Sequence, residues 1–401
     1  MSSNMKIKNI YPNREAFGWN EYLALIRCAS SYRLRRIDPL YDGEYQKRFE
    51  YEFTKHFRSK QSRLVSSGTS AIYVALKSLS MPIGSSVLVS SITDGGCISA
   101  IIEAGFKPVL VDTGVKTFNI NLESVIRAFD ELKSQNLNPP TCLVACHIGG
   151  EPITDISDIA HWCETNGIHL IEDCSQAIMA QVKNGIVGSF GKLSAFSLMY
   201  RKNVSSAGSA GIILVNDTNY YERVLAFSDR GKPIWRRDSN LNNPSFNLFS
   251  ALNHNSNEFT ASIALSSLRR LDSTNEKRRR FCTYLLAKFK ESGIPFGNEK
   301  FDQTWAPFYL TLFGNGIEEA RVKSIASRML DEFKVPLLVN YGCLASEWPW
   351  LKSHLVLHMP MSEAKRNIEN SFNLMLNEKY TLRHADKILQ AAKKSSGQSS
   401  N

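Results

Sequence analysis

The chain has 401 residues, of which 43% are hydrophobic and 21% charged, and its formal net charge is +10. That composition argues against a disordered polymer. Its longest apolar runs, such as Ala210–Val215, are far too short to cross a bilayer, and the polar start Met1–Tyr11 lacks the apolar centre of a secretory signal, so no membrane association and a cytoplasmic location are expected.

In chain order, Ser66-Ser67-Gly68-Thr69-Ser70-Ala71 leads into a helix-like run over Ser70–Ser80. Short apolar strands follow at Val87–Val89, Pro108–Val111, Cys142–Ala145, His169–Ile171, Ala195–Leu198 and Gly211–Val215. Helical stretches lie between them at Cys97–Ala104, Leu122–Leu132 and Ile156–Asn166. Near-continuous apolar strands imply a sheet covered on both faces. The alternation predicts an α/β fold, a three-layer large domain with a mostly parallel central sheet. Arg230–Asn257, rich in Asn, Ser and Pro, reads as a long functional loop. The spacing of Ile263, Leu265, Leu268 and Leu271 predicts one long helix over Glu258–Phe289. Beyond it, a smaller α+β C-terminal domain is expected, with a helix near Glu319–Phe333. The expected division is 1–250 and 251–401, and the Lys- and Ser-rich tail Lys393–Asn401 reads as disordered.

Two compositional features carry little function. The basic clusters Arg33–Arg36, Arg236–Arg237 and Lys277–Arg280 are far apart and accompany no helix-turn-helix, zinc-finger or RNA-binding aromatic motif, so no nucleic acid partner is expected. They read either as a solvated surface or as a positive field for anionic ligands. The eight cysteines (28, 97, 142, 146, 163, 174, 282 and 343) contain no Cys-x-x-Cys pair and read as buried reduced thiols, with no metal site expected.

The chemistry lies in two runs. Leu170–Ala177 ends an apolar strand on Asp173, with Gln176 three residues later, and Lys202 follows Phe196-Ser197-Leu198-Met199-Tyr200-Arg201. A lysine amine can condense with the aldehyde of pyridoxal 5'-phosphate, and a carboxylate can keep the pyridine nitrogen protonated so that the ring serves as an electron sink. Open α/β sheets place ligands at the carboxyl ends of strands, where Asp173 falls. Taken singly, the Asp also reads as a helix cap and the lysine as a solvated one; the combination points to the cofactor. Gly68-Thr69 at a helix start reads as a phosphate cradle or as a plain Ser/Thr cap. Ser197 is a further phosphate donor or an ordinary strand serine.

In their shared order these motifs resemble the DegT-type sugar aminotransferases, a family within the fold type I pyridoxal phosphate enzymes. The resemblance is carried by Phe49-Glu50 and Phe53 ahead of Gly68-Thr69, by Gly105–Asp112 with Thr117 and Asn119, and by His147-Ile148-Gly149-Gly150-Glu151-Pro152. Glu172–Ala177 and Phe196–Asn203 form its centre, and Met359-Pro360-Met361 and Met375-Leu376-Asn377 look like degenerate last motifs. It implies that Lys202 bonds the cofactor aldehyde, that Asp173 faces the pyridine nitrogen, and that Gln176 lies near the ring and its hydroxyl. Ser197 and the Gly68-Thr69 backbone would hold the phosphate. Asn253 would reach the phosphate of a neighbouring subunit, which implies a homodimer with shared sites.

Three departures stand out. Asp94, in Ser91–Gly96, replaces a ring-stacking aromatic; Ala207–Gly211 replaces a Gly-Glu-Gly-Gly run; Asn255 stands where arginine is frequent. The implied activity is transfer of an amino group from an amino acid such as glutamate to a keto sugar, nucleotide-linked. Arg230, Lys232, Arg236 and Arg237 are candidates for its anionic groups, or simply basic residues of an exposed loop. The alternatives are a sugar dehydratase, whose relatives typically carry histidine in place of the lysine, and a cofactor-binding regulatory or scaffold protein without turnover.

Overall fold

The computed structural model describes residues 11–39, 41–57, 59, 61–236 and 240–397. The helices are α1 (Trp19–Arg35), α2 (Glu44–Phe57), α3 (Gly68–Ser78), α4 (Gly95–Glu103), α5 (Leu122–Ser134), α6 (Ile156–Thr165), α7 (Tyr221–Ser228), α8 (Glu258–Leu268), α9 (Leu271–Glu291), α10 (Glu319–Asp331), α11 (Ser362–Glu369) and α12 (Leu382–Ser396). The strands are β1 (Gln61–Val65), β2 (Ser86–Ser90), β3 (Lys107–Val111), β4 (Cys142–Cys146), β5 (His169–Asp173), β6 (Gln181–Val182), β7 (Gly185–Ile186), β8 (Leu193–Ser197), β9 (Gly211–Val215), β10 (Phe296–Gly297), β11 (Tyr309–Gly314), β12 (Leu337–Leu338) and β13 (Ser371–Met375).

Seven strands form the main sheet in the order β1-β9-β8-β5-β4-β2-β3. The pairs from β8 through β5, β4 and β2 to β3 are parallel, whereas β9 runs antiparallel to both β8 and β1. Every residue of β2, β4 and β9 is buried, as both-face coverage requires. Side chains alternate across the sheet. Val87, Val89 and Val144 pack with Val74 of α3, Ile98 of α4 and Val224 of α7. Leu88 and Leu143 face the opposite way, toward Val125 and Leu132 of α5 and Ile159 of α6. The antiparallel end is covered by Phe49 and Phe53 of α2 and Ala264 and Leu268 of α8, against Leu64, Phe196 and Ile212.

Local sequence sets several boundaries. Asn121 Oδ1 accepts the Ser124 N–H at 2.9 Å and Ser124 Oγ accepts the Asn121 N–H at 3.1 Å, a reciprocal cap that starts α5. The second sheet, β10-β11-β13-β12, is antiparallel and packs Leu310, Leu312 and Leu374 against α9, α10 and α12.

Two sequence expectations are corrected. The long helix over Glu258–Phe289 is two helices, because Arg270 leaves helical geometry at φ −105°, ψ 5°. Its guanidinium reaches Glu21 at 3.0 Å and the Ala16 carbonyl at 2.8 Å. The tail expected to be disordered is helical as far as Ser396, where Gly397 ends α12 at φ 82°; residues 398–401 lie outside the described residues. Among the described residues no helix is long and apolar enough to cross a membrane.

Candidate active site

A cleft of about 180 Å³ opens at the carboxyl ends of β4, β5 and β8, against the N-termini of α3 and α4. It brings together Gly68, Thr69, Asp173, Gln176, Ser197 and Lys202, along with Asp94, His147 and Ser175. Six of the seven residues expected from sequence therefore meet in one place.

Glycines make the approach possible at one end. A Cβ on Gly68 would lie 2.7 Å from Ser197 Cβ, and one on Gly211 would lie 2.2 Å from the Ser67 carbonyl oxygen. The start of α3 thus seats directly on β8 and β9. Ser67 caps the helix by accepting the Ser70 N–H at 3.0 Å, while the N–H groups of Gly68 and Thr69 begin the helix without an intrahelical acceptor. Two free donors, the positive end of the helix dipole and no side chain at Gly68 suit a phosphate.

Lys202 and Asp173 occupy the other end, 8% and 7% exposed. Burial pushes the Lys202 amine below the usual lysine range, against the pull of the Asp173 and Asp94 carboxylates. Burial pushes the Asp173 carboxyl up, opposed by hydrogen bonds from Ser175 and by the charge of Lys202. The Ser175 N–H donates to Asp173 Oδ1 at 3.0 Å, and Ser175 Oγ accepts the Ser197 N–H at 3.0 Å, tying β5 to β8.

The Lys202 loop is held by a polar network that is buried at Arg278 and partly exposed at Arg14. Arg14 donates to the carbonyls of Arg201 and Lys202. Arg278, 1% exposed, donates to Asn203 Oδ1 at 2.6 Å, to the Pro307 carbonyl at 3.0 Å and to Glu378 at 3.1 Å. Lys202 Nζ stands 4.8 Å from the Phe308 ring centroid. No local motif signalled Arg14, Arg278 or Phe308, because each arrives from a distant part of the chain.

The remaining residues orient the cleft walls. Gln176 Oε1 accepts the Gly149 N–H at 2.8 Å, so its amide braces the turn after β4. His147 Nδ1 accepts the Ile153 N–H at 3.0 Å, which leaves the proton on Nε2 toward Glu172 at 3.2 Å. Asp94 caps α4, its Oδ1 accepting the Gly96 N–H at 2.8 Å, and lines the cleft where an aromatic was expected.

Asn253 does not line this cleft. It is exposed, bridges Asp229, and its Oδ1 accepts the N–H and Nδ2–H of Asn255 at 3.1 and 3.0 Å. Asn255 Oδ1 in turn accepts from buried Arg63 at 2.9 Å, where an arginine would set one cation against another. Arg230 pairs with Asp229 at 2.8 Å, and neither it, Lys232 nor Arg236 lines the cleft; Arg237 lies outside the described residues.

The donor set fits pyridoxal 5'-phosphate: a glycine cradle with two free N–H groups, a buried amine and a buried carboxyl share one cleft. The fold is that of solved aminotransferases, and the chain's relatives place it in one family. The DegT/DnrJ/EryC1/StrS aminotransferase family matches over residues 33–393. GDP-perosamine synthase of Vibrio cholerae is 27% identical over 237 residues, 59% of this chain and 60% of that protein, so the chain spans less than two thirds of that relative. The aminotransferase of Psychrobacter cryohalolentis superposes with a TM-score of 0.84 at 23% identity, over 96% of this chain and 98% of that one. NtdA of Bacillus subtilis, solved with bound cofactor PMP, gives 0.84 at 17% identity, over 99% and 87%. The chain belongs to the DegT/DnrJ/EryC1/StrS aminotransferase family.

Proposed function

We propose that this chain is a pyridoxal phosphate-dependent aminotransferase that moves an amino group from an amino acid, such as glutamate, to a keto sugar carried on a nucleotide. The observation that carries the reading is the pairing of a buried lysine amine with a buried carboxyl beside a helix N-terminus that can take a phosphate. A relative named for a GDP-linked sugar supports the substrate class.

When bound, the cofactor supplies an electron sink and a carrier for the amino group. Gly68, Thr69 and Ser197 would hold its phosphate, Asp173 its ring nitrogen and Lys202 its aldehyde carbon. Burial leaves more of the Lys202 amine unprotonated, so that Nζ can act first as a nucleophile and then as a base. In the first half of the reaction Lys202 Nζ takes the proton from the donor's α-carbon. In the second half it returns one to the sugar carbon that receives the amine. Asp173, acting as the counter-ion of a protonated ring nitrogen, lowers the barrier to both transfers. The Arg14 and Arg278 network keeps the Lys202 backbone in place while its side chain is released.

The same reading includes a homodimer in which Asn253 serves the neighbouring subunit's phosphate; its exposure and its absence from the lining of its own cleft fit that role. It also includes the division into 1–250 and 251–401, supported by a second sheet wholly within 296–375, although α8 remains packed on the first sheet. Borohydride trapping tests the core. The cofactor should become fixed to the peptide containing Lys202, and Lys202→Ala should retain its fold while losing both the trapped adduct and turnover. An adduct on another lysine, or normal turnover by Lys202→Ala, would refute the assignment.

A further inference from the structure

One wall of the cleft sets two cysteine thiols, which amino transfer does not use, beside Asp173, which it does. Cys146 ends β4, Cys97 lies in the first turn of α4 and Asp173 ends β5. Their two sulfurs and a carboxylate oxygen lie within 4.8 Å of one another, and all three residues are buried yet line the open cleft. Cys97 Sγ and Cys146 Sγ are 3.7 Å apart. Two thiolates bound tetrahedrally to zinc, each at ~2.3 Å from the ion, stand about 3.8 Å from each other. Thr93 Oγ1, 3.2 Å from Cys146 Sγ, adds a neutral oxygen at the same point, and the cleft gives a water access to a fourth position.

A second trio, His147, Glu172 and Cys174, has comparable spacing but is already saturated. The Glu172 carboxylate accepts the N–H groups of Gly188, Phe190 and Gly191, each at 2.7 Å, and His147 Nδ1 accepts from Ile153. Its lone pairs are spent on holding loops. Cys97 and Cys146 have no such engagement: apart from each other, the only hydrogen-bond partner of their sulfurs among the described residues is the Thr93 hydroxyl. No sequence motif signals this trio, because the two cysteines sit on separate elements, far apart in the chain, and only the fold joins them.

We propose that in the cofactor-free chain Cys97, Cys146 and Asp173 bind a thiophilic divalent cation of the zinc class, and that this cation and pyridoxal phosphate exclude one another. Two thiolates balance the charge of the ion and the carboxylate supplies a harder third donor. Exclusion follows because both ligands require Asp173; that half rests on the role proposed for Asp173 above, whereas the cation site does not. Cofactor loading then becomes sensitive to free zinc.

Cobalt(II) is the probe. The full-length chain, freed of cofactor with hydroxylamine and kept reduced with a phosphine, is titrated and read for thiolate-to-cobalt charge-transfer absorption. The expected result is a band that saturates at one equivalent and disappears on adding equimolar zinc. Cys97→Ser and Cys146→Ser should each lose it, Cys343→Ser should keep it, and a chain first saturated with pyridoxal phosphate should not develop it. Circular dichroism and cofactor uptake report whether the variants fold, and Cys97→Ala replaces the serine variant if that one does not. No band in the unmodified chain, or a band that survives both cysteine substitutions, overturns the cation site. A band that forms equally well with the cofactor bound overturns the exclusion, while cofactor uptake itself remains a separate readout of the aminotransferase reading.

Discussion

Asp94 stands where a ring-stacking aromatic was expected, and the structure gives it two other tasks. It caps α4, and its charge raises the basicity of Lys202 across the cleft. Asp94→Asn keeps an N-cap acceptor but removes the charge. The Lys202 amine should then titrate at lower pH, and the acid limb of cofactor capture by Lys202 should move down with it. An unchanged limb would separate Asp94 from the lysine. Glu151 offers a pH prediction of a different kind. Burial pushes its carboxyl from 4.5 to about 7. A carboxyl whose folded pKa exceeds its unfolded one stabilises fully below the unfolded value and loses that contribution as pH climbs through the folded value. The loss amounts to up to about 3 kcal/mol between pH ~4.5 and ~7. Glu151→Gln cannot ionise, so its melting temperature should gain on the parent's across that window. A constant difference between the two melting curves would contradict this.

At the scale of elements, the parallel core was legible because its strands are short, apolar and regularly interleaved with helices. Each of the six anticipated strands exists, with ends shifted by no more than two residues. Edge strand β1 went unread, since Gln61-Ser62-Arg63 looks polar; Arg63 is buried only because Asp42 and Asn255 meet its guanidinium at 2.9 Å each. The break between α8 and α9 was equally hidden, as tertiary contacts of Arg270 create it. The site residues were readable where a contiguous motif carries them, at Gly68-Thr69 and around Asp173 and Lys202. Arg14, Phe308 and Cys97 were not, because their roles depend on long-range packing. Gly211 gives the element-level test. Its missing Cβ lets β9 touch the Ser67–Gly68 peptide, so Gly211→Ala should displace the start of α3. The expected cost is ~1–3 kcal/mol of stability, together with weaker cofactor phosphate binding in an equilibrium titration. Unaltered stability and affinity would show that the contact is dispensable.

For the whole molecule, the proposed shared site requires two chains. One side of α1 leaves Trp19, Tyr22, Leu23 and Ile26 exposed at helical spacing, and Leu248 and Leu252 are exposed in the long loop. Apolar surface of this kind suits a subunit contact. Mixing Asn253→Ala with Lys202→Ala subunits should restore part of the lost activity, because a heterodimer then has one site with both defects and one with neither. Demonstrated subunit exchange without recovery would refute shared sites. The most direct measurement of the central claim follows nitrogen through one turnover. The chain loaded with pyridoxal phosphate and given ¹⁵N-glutamate should release one equivalent of 2-oxoglutarate per site and then deliver the label to a nucleotide-linked keto sugar, whereas Lys202→Ala should do neither. Cofactor binding without any transfer of label, across a panel of donors and keto sugars, would contradict the account.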